Sequence, residues 1–494
     1  MKSLLSLLCF VTLISNVVAQ NGRPEDYLSS EFHKNRREAF RAKMPKNSVA
    51  VFFANPERNR SNDVNYVYHQ DPNFYYLTGY KEPDAVLVIF SEDQTNDTSG
   101  KTYNEILYVR ERDPKREQWT GHRLGIEGAK QQLGFDMAFN GHEFLNSGID
   151  YTRFDNVLFD SFNNDYRDSR HNDADLYDLI SSFKNQIQVT ETVFESDTQK
   201  DSDLKQQTTL TKKTVHVDNK TLNLLMAGLR EVKTPEELKL LTKAIRISTM
   251  AQREVMKAMH PGMSETEIQG LHEYVYKKYG SEYEGYPSIV GAGNNGCVLH
   301  YEENNKTKVD NDLVLMDVGA EYHGYTADVT RTVPANGKFT LEQKAIYDLV
   351  YKAQEAGINA AIIGNTTKIT DQIAKAIVHQ GLIDLGIAKD VEDAKQYFPH
   401  GTSHHIGLDV HDLNLKGPFE PNMVITVEPG IYIPEGSPCD KKWWGIAVRI
   451  EDDVLITENG PVLLSYEAPR KSEEIEALMK ETSVLDGFKL PNLD

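Results

Sequence analysis

The sequence has few cysteines and, after its first 18 residues, no long apolar run. Only three of its 494 residues are cysteines, and Cys297 and Cys439 are the two that lie outside the N-terminal run. An oxidising compartment would permit a disulfide between them, but nothing in the sequence specifically supports one. No later stretch is long and apolar enough to cross a bilayer, so we expect no stable membrane span.

Positive charge is also scarce. Lysine and arginine number 54 against 74 aspartates and glutamates, which gives a formal net charge of -20. Such a chain is repelled by nucleic acid and by anionic membranes, so we expect neither as a partner. The length predicts two or three domains, each large enough for its own core.

The first residues resemble a targeting segment. Met1 and Lys2 form a small positive region, residues 3–18 are apolar, and Val17-Val18-Ala19 offers a cleavage site. We predict a signal peptide over residues 1–19 and an exported protein, periplasmic or secreted after cleavage. An uncleaved anchor or a buried helix is the alternative.

The remaining chain divides at a polar stretch. Between residues 30 and 185, apolar strands such as SVAVFF alternate with helical patterns, which predicts an α/β domain. Residues 186–220 are polar and indicate a boundary, so the predicted domains are residues 20–220 and 221–494. Thr234 begins a helix with a proline and a capping-box glutamate, and the segments that follow indicate an α+β domain.

Two aspartates lie in the β-rich segment LVLMDVGAEYHGYTADVTRTV, residues 313–333. Its central turn predicts a hairpin. If the hairpin is centred between Tyr322 and His323, Asp317 and Asp328 lie opposite each other, with their Cβ atoms roughly 5 Å apart. Two carboxylates this close repel each other unless a cation lies between them.

Two glutamates repeat this arrangement in MVITVEPGIYI and GIAVRIEDDVLIT. A hairpin centred between Cys439 and Asp440 places Glu428 opposite Glu451. Arg449 precedes Glu451 by two residues and therefore shares its face. The two hairpins flank a histidine-rich segment, HGTSHHIGLDVHD.

Two acidic pairs and a histidine-rich segment together predict a two-metal site. The alternative is that each acid is a solvated residue at a sheet edge. Apolar β-sequence surrounds each acid, however, so solvation is not available to them. The candidate metal ligands are Asp317, Asp328, His404, Glu428 and Glu451.

From about residue 30 to 470, the order and spacing of these motifs resemble the aminopeptidase P and prolidase family. The N-terminal segment RSNDVNYVYHQDPNFYYLTGYKEPDAVLVI resembles the non-catalytic domain of the aminopeptidases more than that of the dipeptidases. The resemblance implies an α+β chain with a C-terminal pita-bread catalytic domain. It also implies an N-terminal α/β domain of the ribonuclease H-like type.

The resemblance further implies two divalent metal ions per subunit. Asp317 would chelate one ion, Asp328 and Glu451 would bridge both, and His404 and Glu428 would complete the second. Oxygen-rich ligands with one imidazole favour Mn²⁺, although Zn²⁺, Co²⁺ or Fe²⁺ can compete. A hydroxide bridging the ions would attack the carbonyl before proline, with Glu428 as the proton carrier.

The family pattern implies roles for further residues. His411 would stabilise the tetrahedral intermediate, and His300 and His400 would handle protons and bind substrate, with packing or solvation as the alternative for His400. His405 does not align with a family histidine, and we expect it to be packed or solvated. Arg449 and Tyr432 are candidate substrate-binding residues, and charge balance is the alternative for Arg449.

The implied activity releases the N-terminal residue of peptides with proline in second position. The alternatives are an Xaa-Pro dipeptidase (prolidase) and a metal-free peptide-binding module, and we expect a homo-oligomer, a dimer or a tetramer.

Overall fold

The computed structural model describes residues 24, 26–95, 100–169, 172–187 and 215–487. The predicted signal peptide lies outside these residues, as does most of the polar stretch 186–220. Within the described part of the chain, no helix has both the length and the apolar character needed to cross a membrane.

The N-terminal domain is built on a mixed six-stranded sheet, as the alternating pattern predicted. The strand order is β6-β5-β4-β1-β7-β8; β4 is antiparallel to β1 and β5, and the other neighbours are parallel. A separate hairpin is formed by β2 and β3. The elements are α1 (Ser30–Lys43), β1 (Ser48–Phe53), β2 (Asn59–Ser61), β3 (Val64–Asn65), α2 (Pro72–Thr78), β4 (Val86–Thr95), β5 (Thr102–Val109), α3 (Pro114–Thr120), α4 (Gly125–Leu133), β6 (Ala138–Asn140), α5 (Gly141–Phe144), β7 (Asn156–Leu158), α6 (Leu176–Ile187) and β8 (Val217–Asp218).

The C-terminal domain combines helices with antiparallel strands, which confirms the α+β prediction. Thr234 caps α8 through its side chain, with Pro235 in the first turn and Glu237 completing the capping box. The elements are α7 (Asn219–Arg230), α8 (Pro235–Ala258), α9 (Glu265–Lys278), β9 (Tyr283–Glu284), β10 (Ile289–Ala292), β11 (Leu313–Val318), β12 (Ala320–Tyr322), β13 (Tyr325–Thr326), β14 (Val329–Pro334), α10 (Leu341–Ala360), α11 (Thr367–Asp384), α12 (Val391–Ala394), β15 (Val424–Val427), β16 (Gly430–Ile433), β17 (Ile446–Arg449), β18 (Asp452–Thr457), β19 (Gly460–Leu463) and α13 (Ser472–Leu478).

The two domains share one apolar core, which extends from α1 through α7 and α8 into the strands of the C-terminal domain. Helix α7 belongs to this junction, where the Tyr76 hydroxyl donates to the Leu229 carbonyl at 3.0 Å. The predicted boundary between residues 220 and 221 falls in the first turn of α7. The junction brings N-terminal residues close to the hairpins that carry the acids.

Two buried glutamines attach these hairpins to the helices behind them. Gln252 of α8 donates to the carbonyls of Met316 and Val329, at 3.0 and 2.9 Å. Gln354 of α10 donates to the Val427 carbonyl at 3.1 Å and to a carboxylate of β18. Each hairpin therefore has one helix that fixes its backbone where its acids lie.

Candidate active site

The aspartate hairpin, β11 to β14, turns at His323 and Gly324, with φ of 52° and 89°. Positive φ at both central residues is typical of a two-residue type I′ turn. The predicted centre was therefore wrong by one residue, and Asp317 pairs with Thr330 rather than with Asp328. Asp328 lies two residues from Thr330, so it still shares the face of Asp317.

A glycine allows the aspartate hairpin to bend between its two ladders. A Cβ on Gly319 would lie 1.9 Å from the Ala327 carbonyl oxygen, so only glycine fits at this close approach. Ala327 donates to the Ala320 carbonyl at 3.0 Å beside the bend. The bend lies between the two aspartates.

The glutamate hairpin, β15 to β18, has the predicted register. Val427 pairs with Asp452 and Gly430 with Arg449, and both pairs place Glu428 across from Glu451. These two glutamates lie between the ladders, where their backbone amides bond elsewhere. Glu428 donates to the Thr402 carbonyl at 2.8 Å and Glu451 to the Thr330 carbonyl at 3.1 Å. These bonds connect the glutamate hairpin to the histidine segment and to the aspartate hairpin.

All five predicted ligands line one cavity of about 530 Å³. Asp328, His404 and Glu451 each offer a ligand atom, and these atoms lie within 4.8 Å of one another. His404 Nε2 is 3.5 Å from Asp328 Oδ2 and 3.3 Å from Glu428 Oε1. His404 Nδ1 donates to the His405 carbonyl at 3.0 Å, which leaves Nε2 available as a ligand.

The electrostatics of the cavity fit a cation. Burial raises the pKa of Glu428 to about 7. Burial raises the pKa of Glu451 well above its usual range, and the charge of Asp328 adds to the effect. Burial disfavours a charged His404, but its contact with Asp328 prevails and raises its pKa to about 9.

Five carboxylates line this cavity, the four acidic candidate ligands and Glu302, and Arg449 is the one Lys or Arg side chain among its lining residues. Buried carboxylates in excess of their partners are stabilised by shared protons or by a metal ion. The donor set, four carboxylates and one imidazole, fits a divalent metal that prefers oxygen.

Comparisons with known proteins agree with this geometry. The model of metallopeptidase family M24 matches residues 239–458, and that of the aminopeptidase P N-terminal domain matches residues 33–149. The chain is 36% identical to an Xaa-Pro aminopeptidase of Escherichia coli over 465 residues, 92% of this chain and 98% of that protein. It is 34% identical to Xaa-Pro aminopeptidase 3 of Rattus norvegicus, over 88% of this chain and 81% of the relative.

A solved structure of an aminopeptidase P also matches this chain. The aminopeptidase P of E. coli with the inhibitor Pro-Leu matches with a TM-score of 0.76 and 34% identity, over 92% of this chain and 98% of that one. The chain belongs to the aminopeptidase P family. Its two-domain fold, with a pita-bread catalytic domain, is the fold of this family, and it is an M24 metallopeptidase.

Within this family frame, the structure locates the other predicted residues. His300, His400 and His411 line the cavity, and the rings of His411 and His404 meet edge to face at 4.4 Å. His405 is buried beside the Phe419 ring, as expected for a packing residue. The catalytic roles of the first three histidines stay predictions.

Arg449 and Tyr432 lie in one hydrogen-bond chain. Arg449 donates to Asp317 Oδ2 at 2.5 Å and to the Tyr432 hydroxyl at 2.7 Å, and that hydroxyl lies 2.8 Å from His400 Nε2. Burial alone would raise the pKa of Asp317, but Arg449 and Tyr286 lower it. These contacts give Arg449 a charge-balancing partner in Asp317, and its substrate-binding role stays a prediction.

Sequence reasoning missed two residues of the site. The Tyr286 hydroxyl lies 2.6 Å from Asp317 Oδ1 and 2.5 Å from Asp328 Oδ1. Nothing in its local sequence indicates this contact, which depends on long-range folding. Asp453 is fully buried and its Oδ2 accepts from the Asp328 amide at 3.2 Å. The alternation of β18 places Asp453 on the face of Glu451, so its sequence position could have revealed it.

Proposed function

We propose that this protein is an Xaa-Pro aminopeptidase, which releases the N-terminal residue from peptides with proline in second position. The observation that carries the proposal is the convergence of the five ligand-type residues in one cavity. The chain also spans 98% of the length of the E. coli Xaa-Pro aminopeptidase, so neither of that relative's domains is lost.

We propose that two divalent ions bind in the cavity and that Mn²⁺ is the native metal, because four carboxylates make a predominantly hard donor set. Such ions lower the pKa of a water molecule and polarise a carbonyl. The residues that would hold them are Asp317, Asp328, His404, Glu428 and Glu451. Direct metal analysis of the purified protein tests the number and identity of the ions.

The residues around the ligands suggest how peptide and protons are handled. The acidic end of the cavity, with Asp317 and Asp328 beside Tyr286, suits the α-ammonium of the substrate. His411 lies beside His404, with ring centroids 4.4 Å apart, and can donate to the scissile carbonyl oxygen. Glu428 faces the cavity and can accept a proton from water and return it to the departing proline nitrogen.

Proline in second position fits this arrangement. Its amide is tertiary and its ring fixes φ, so a Xaa-Pro bond presents a constrained shape that other dipeptides lack. The substrate amine then sets the position of the bond, so one residue is removed from the N-terminus.

The test is to compare an Xaa-Pro-Leu tripeptide, an Xaa-Ala-Leu tripeptide and an Xaa-Pro dipeptide, with products identified by mass spectrometry. We expect release of the first residue from Xaa-Pro-Leu and little or none from Xaa-Ala-Leu. Cleavage of the dipeptide alone would instead identify a prolidase. Peptide binding without any hydrolysis by metal-loaded protein would favour the binding-module alternative.

We also propose that the chain is exported and loses residues 1–19. Support comes from the sequence alone, namely the basic start, the apolar run and the cleavage site before Gln20. N-terminal sequencing of the protein recovered from the exported fraction should begin at Gln20. An intact Met1 in that fraction would contradict the cleavage.

We propose a homo-oligomer, a dimer or a tetramer, as the family resemblance implies. Sedimentation equilibrium of the purified protein tests this directly. A single species with the mass of one chain, which is 56.0 kDa before residues 1–19 are removed, would contradict it if its mass were independent of protein concentration.

A further inference from the structure

A side pocket of about 250 Å³ opens beside the active-site cavity, between His69 of the N-terminal domain and the loop that precedes His411. Val410 and His411 line both the side pocket and the active-site cavity. The loop is held against the aspartate hairpin, since the Thr326 amide donates to the Gly407 carbonyl at 2.8 Å. The side pocket is therefore an extension of the active site formed by both domains.

The position of the side pocket matches one part of the substrate. Gly285 lines it and immediately precedes Tyr286, which contacts the aspartates at the proposed amine end. His411, at the proposed carbonyl end, lines it as well. Between the amine and the scissile carbonyl of an N-terminal residue lies only its Cα. The side chain on that Cα leaves the cavity between these two ends, where the side pocket opens. This step rests on the proposed function.

Two carboxylates give the side pocket its chemistry. Glu321 is only 5% exposed, and its two oxygens lie 2.9 and 3.1 Å from His69 Nε2. Asp409 accepts from Arg230 at 2.6 Å but keeps 44% of its side chain exposed. Arg230 itself is buried behind Asp409 and does not line the pocket, so His69 is the one basic side chain besides His411 that does.

The rest of the pocket suits an aliphatic chain. Leu408 and Val410 supply apolar surface, and Thr326 lies on the same side of the aspartate hairpin as Glu321, its paired residue. Lys and Arg side chains pack an aliphatic stem along apolar surface and keep the charged end among polar groups. An acidic side chain would instead meet two carboxylates.

We infer that this side pocket binds the side chain of the residue before proline, and that Glu321 and Asp409 favour lysine or arginine there over acidic residues. Both carboxylates act as specificity-determining groups, outside the metal ligands.

The test measures kcat/KM for Lys-Pro-Leu, Met-Pro-Leu and Glu-Pro-Leu. We expect the lysine peptide to exceed the methionine peptide roughly ten-fold, and the glutamate peptide to be slowest. Asp409→Asn and Glu321→Gln should each lower the lysine-to-methionine ratio several-fold. The ratio is the readout because a general loss of activity affects both peptides and cancels.

Two controls separate the pocket from the net charge of the protein. Glu458→Gln removes one negative charge at an exposed position and should leave the ratio unchanged. Met-Pro-Lys and Met-Pro-Leu differ at the third residue, and Asp409→Asn should not change the ratio of their kcat/KM values. If Glu321→Gln does not fold, Asp409→Asn carries the test, because Asp409 is partly exposed.

The outcomes are distinct. A lysine preference that both variants reduce supports the inference. Hydrolysis of all three peptides at a ratio that neither variant alters overturns it and leaves the proposed function intact. Failure of the metal-loaded protein to cleave any of the peptides overturns both.

Discussion

The aspartate hairpin closes with the two residues His323 and Gly324, whereas the glutamate hairpin closes with a long loop between Ile433 and Ile446. Both deliver two acids to the same cavity. In the aspartate hairpin the acids are diagonal neighbours, and in the glutamate hairpin they face each other. For this site, it therefore matters more that the two acids share a face, which depends only on even spacing along the strands, than that they pair directly.

The two hairpins also differ in their counter-charges. Arg449 belongs to the glutamate hairpin, but its carboxylate partner is Asp317 of the aspartate hairpin. Among the described residues, no Lys or Arg side chain forms such an ion pair with Glu451; the Thr330 hydroxyl donates to it at 2.6 Å. One arginine thus joins the hairpins, whereas His404 is the positively charged neighbour of Asp328 and Glu428.

The substitutions with the largest expected effect test whether both hairpins supply metal ligands. Glu428→Ala in one hairpin and Asp328→Asn in the other should each lower kcat/KM for an Xaa-Pro-Leu peptide by roughly 10³-fold or more. Asp328→Asn should also lower the metal content, because a neutral amide replaces a charged ligand. Kinetics and metal analysis of the same samples check this, with Glu458→Gln as the control. If the activity of Glu428→Ala were close to that of the unmodified protein, the assignment of Glu428 as a metal ligand and proton carrier would be wrong.

A smaller effect is expected where the hairpins meet. Arg449→Met leaves Asp317 buried without its cation, so the free energy of unfolding of the metal-free protein should fall by about 3 kcal/mol. Added Mn²⁺ should restore part of this loss, because a bound cation again balances the carboxylate. Urea unfolding with and without metal measures both values.

The matched control for Arg449→Met is Arg58→Met. Arg58 pairs with Asp165, and the two side chains are 45% and 36% exposed, so its loss should cost less than about 1 kcal/mol. If Mn²⁺ left the Arg449→Met deficit unchanged, charge balance would not be the role of Arg449.

The smallest effect is expected from glycine substitutions in the tight turn of the aspartate hairpin and in the loop of the glutamate hairpin. Gly324→Ala places a Cβ at φ 89°, 3.1 Å from the Tyr75 ring and 3.2 Å from Leu408. Gly436→Ala, in the glutamate hairpin loop, has φ 88° but open space around the new Cβ. We expect a loss of about 2 kcal/mol for the first and about 1 kcal/mol for the second. Equal losses in thermal or urea unfolding would mean that packing at the tight turn is unimportant.

Much of the catalytic domain could be predicted locally. The start of α8 follows from the capping box at Thr234, and the burial of Asp317, Asp328 and Glu451 follows from the apolar strands around them. The register of the glutamate hairpin follows from symmetry between its two acids. The register of the aspartate hairpin could not be predicted in this way, because its turn requires a positive φ at His323, a conformation that the residue type alone does not indicate.

The features of the site that could not be predicted from the sequence depend on long-range contacts. Tyr286 touches two ligands, yet it lies 31 and 42 positions away from them in the sequence. His69 reaches Glu321 from the other domain. Such contacts depend on how separate elements pack, and no periodicity or spacing encodes them.

The metal dependence of the site is best tested by combining metal analysis with hydrolysis of an Xaa-Pro-Leu peptide, before and after metal removal and after addition of Mn²⁺. We expect no release of the first residue by metal-free protein. We also expect release to be restored when two ions per chain are bound. Full hydrolysis by metal-free protein, or restored hydrolysis with no ion bound, would contradict the proposal that the two hairpins form a metal-dependent active site.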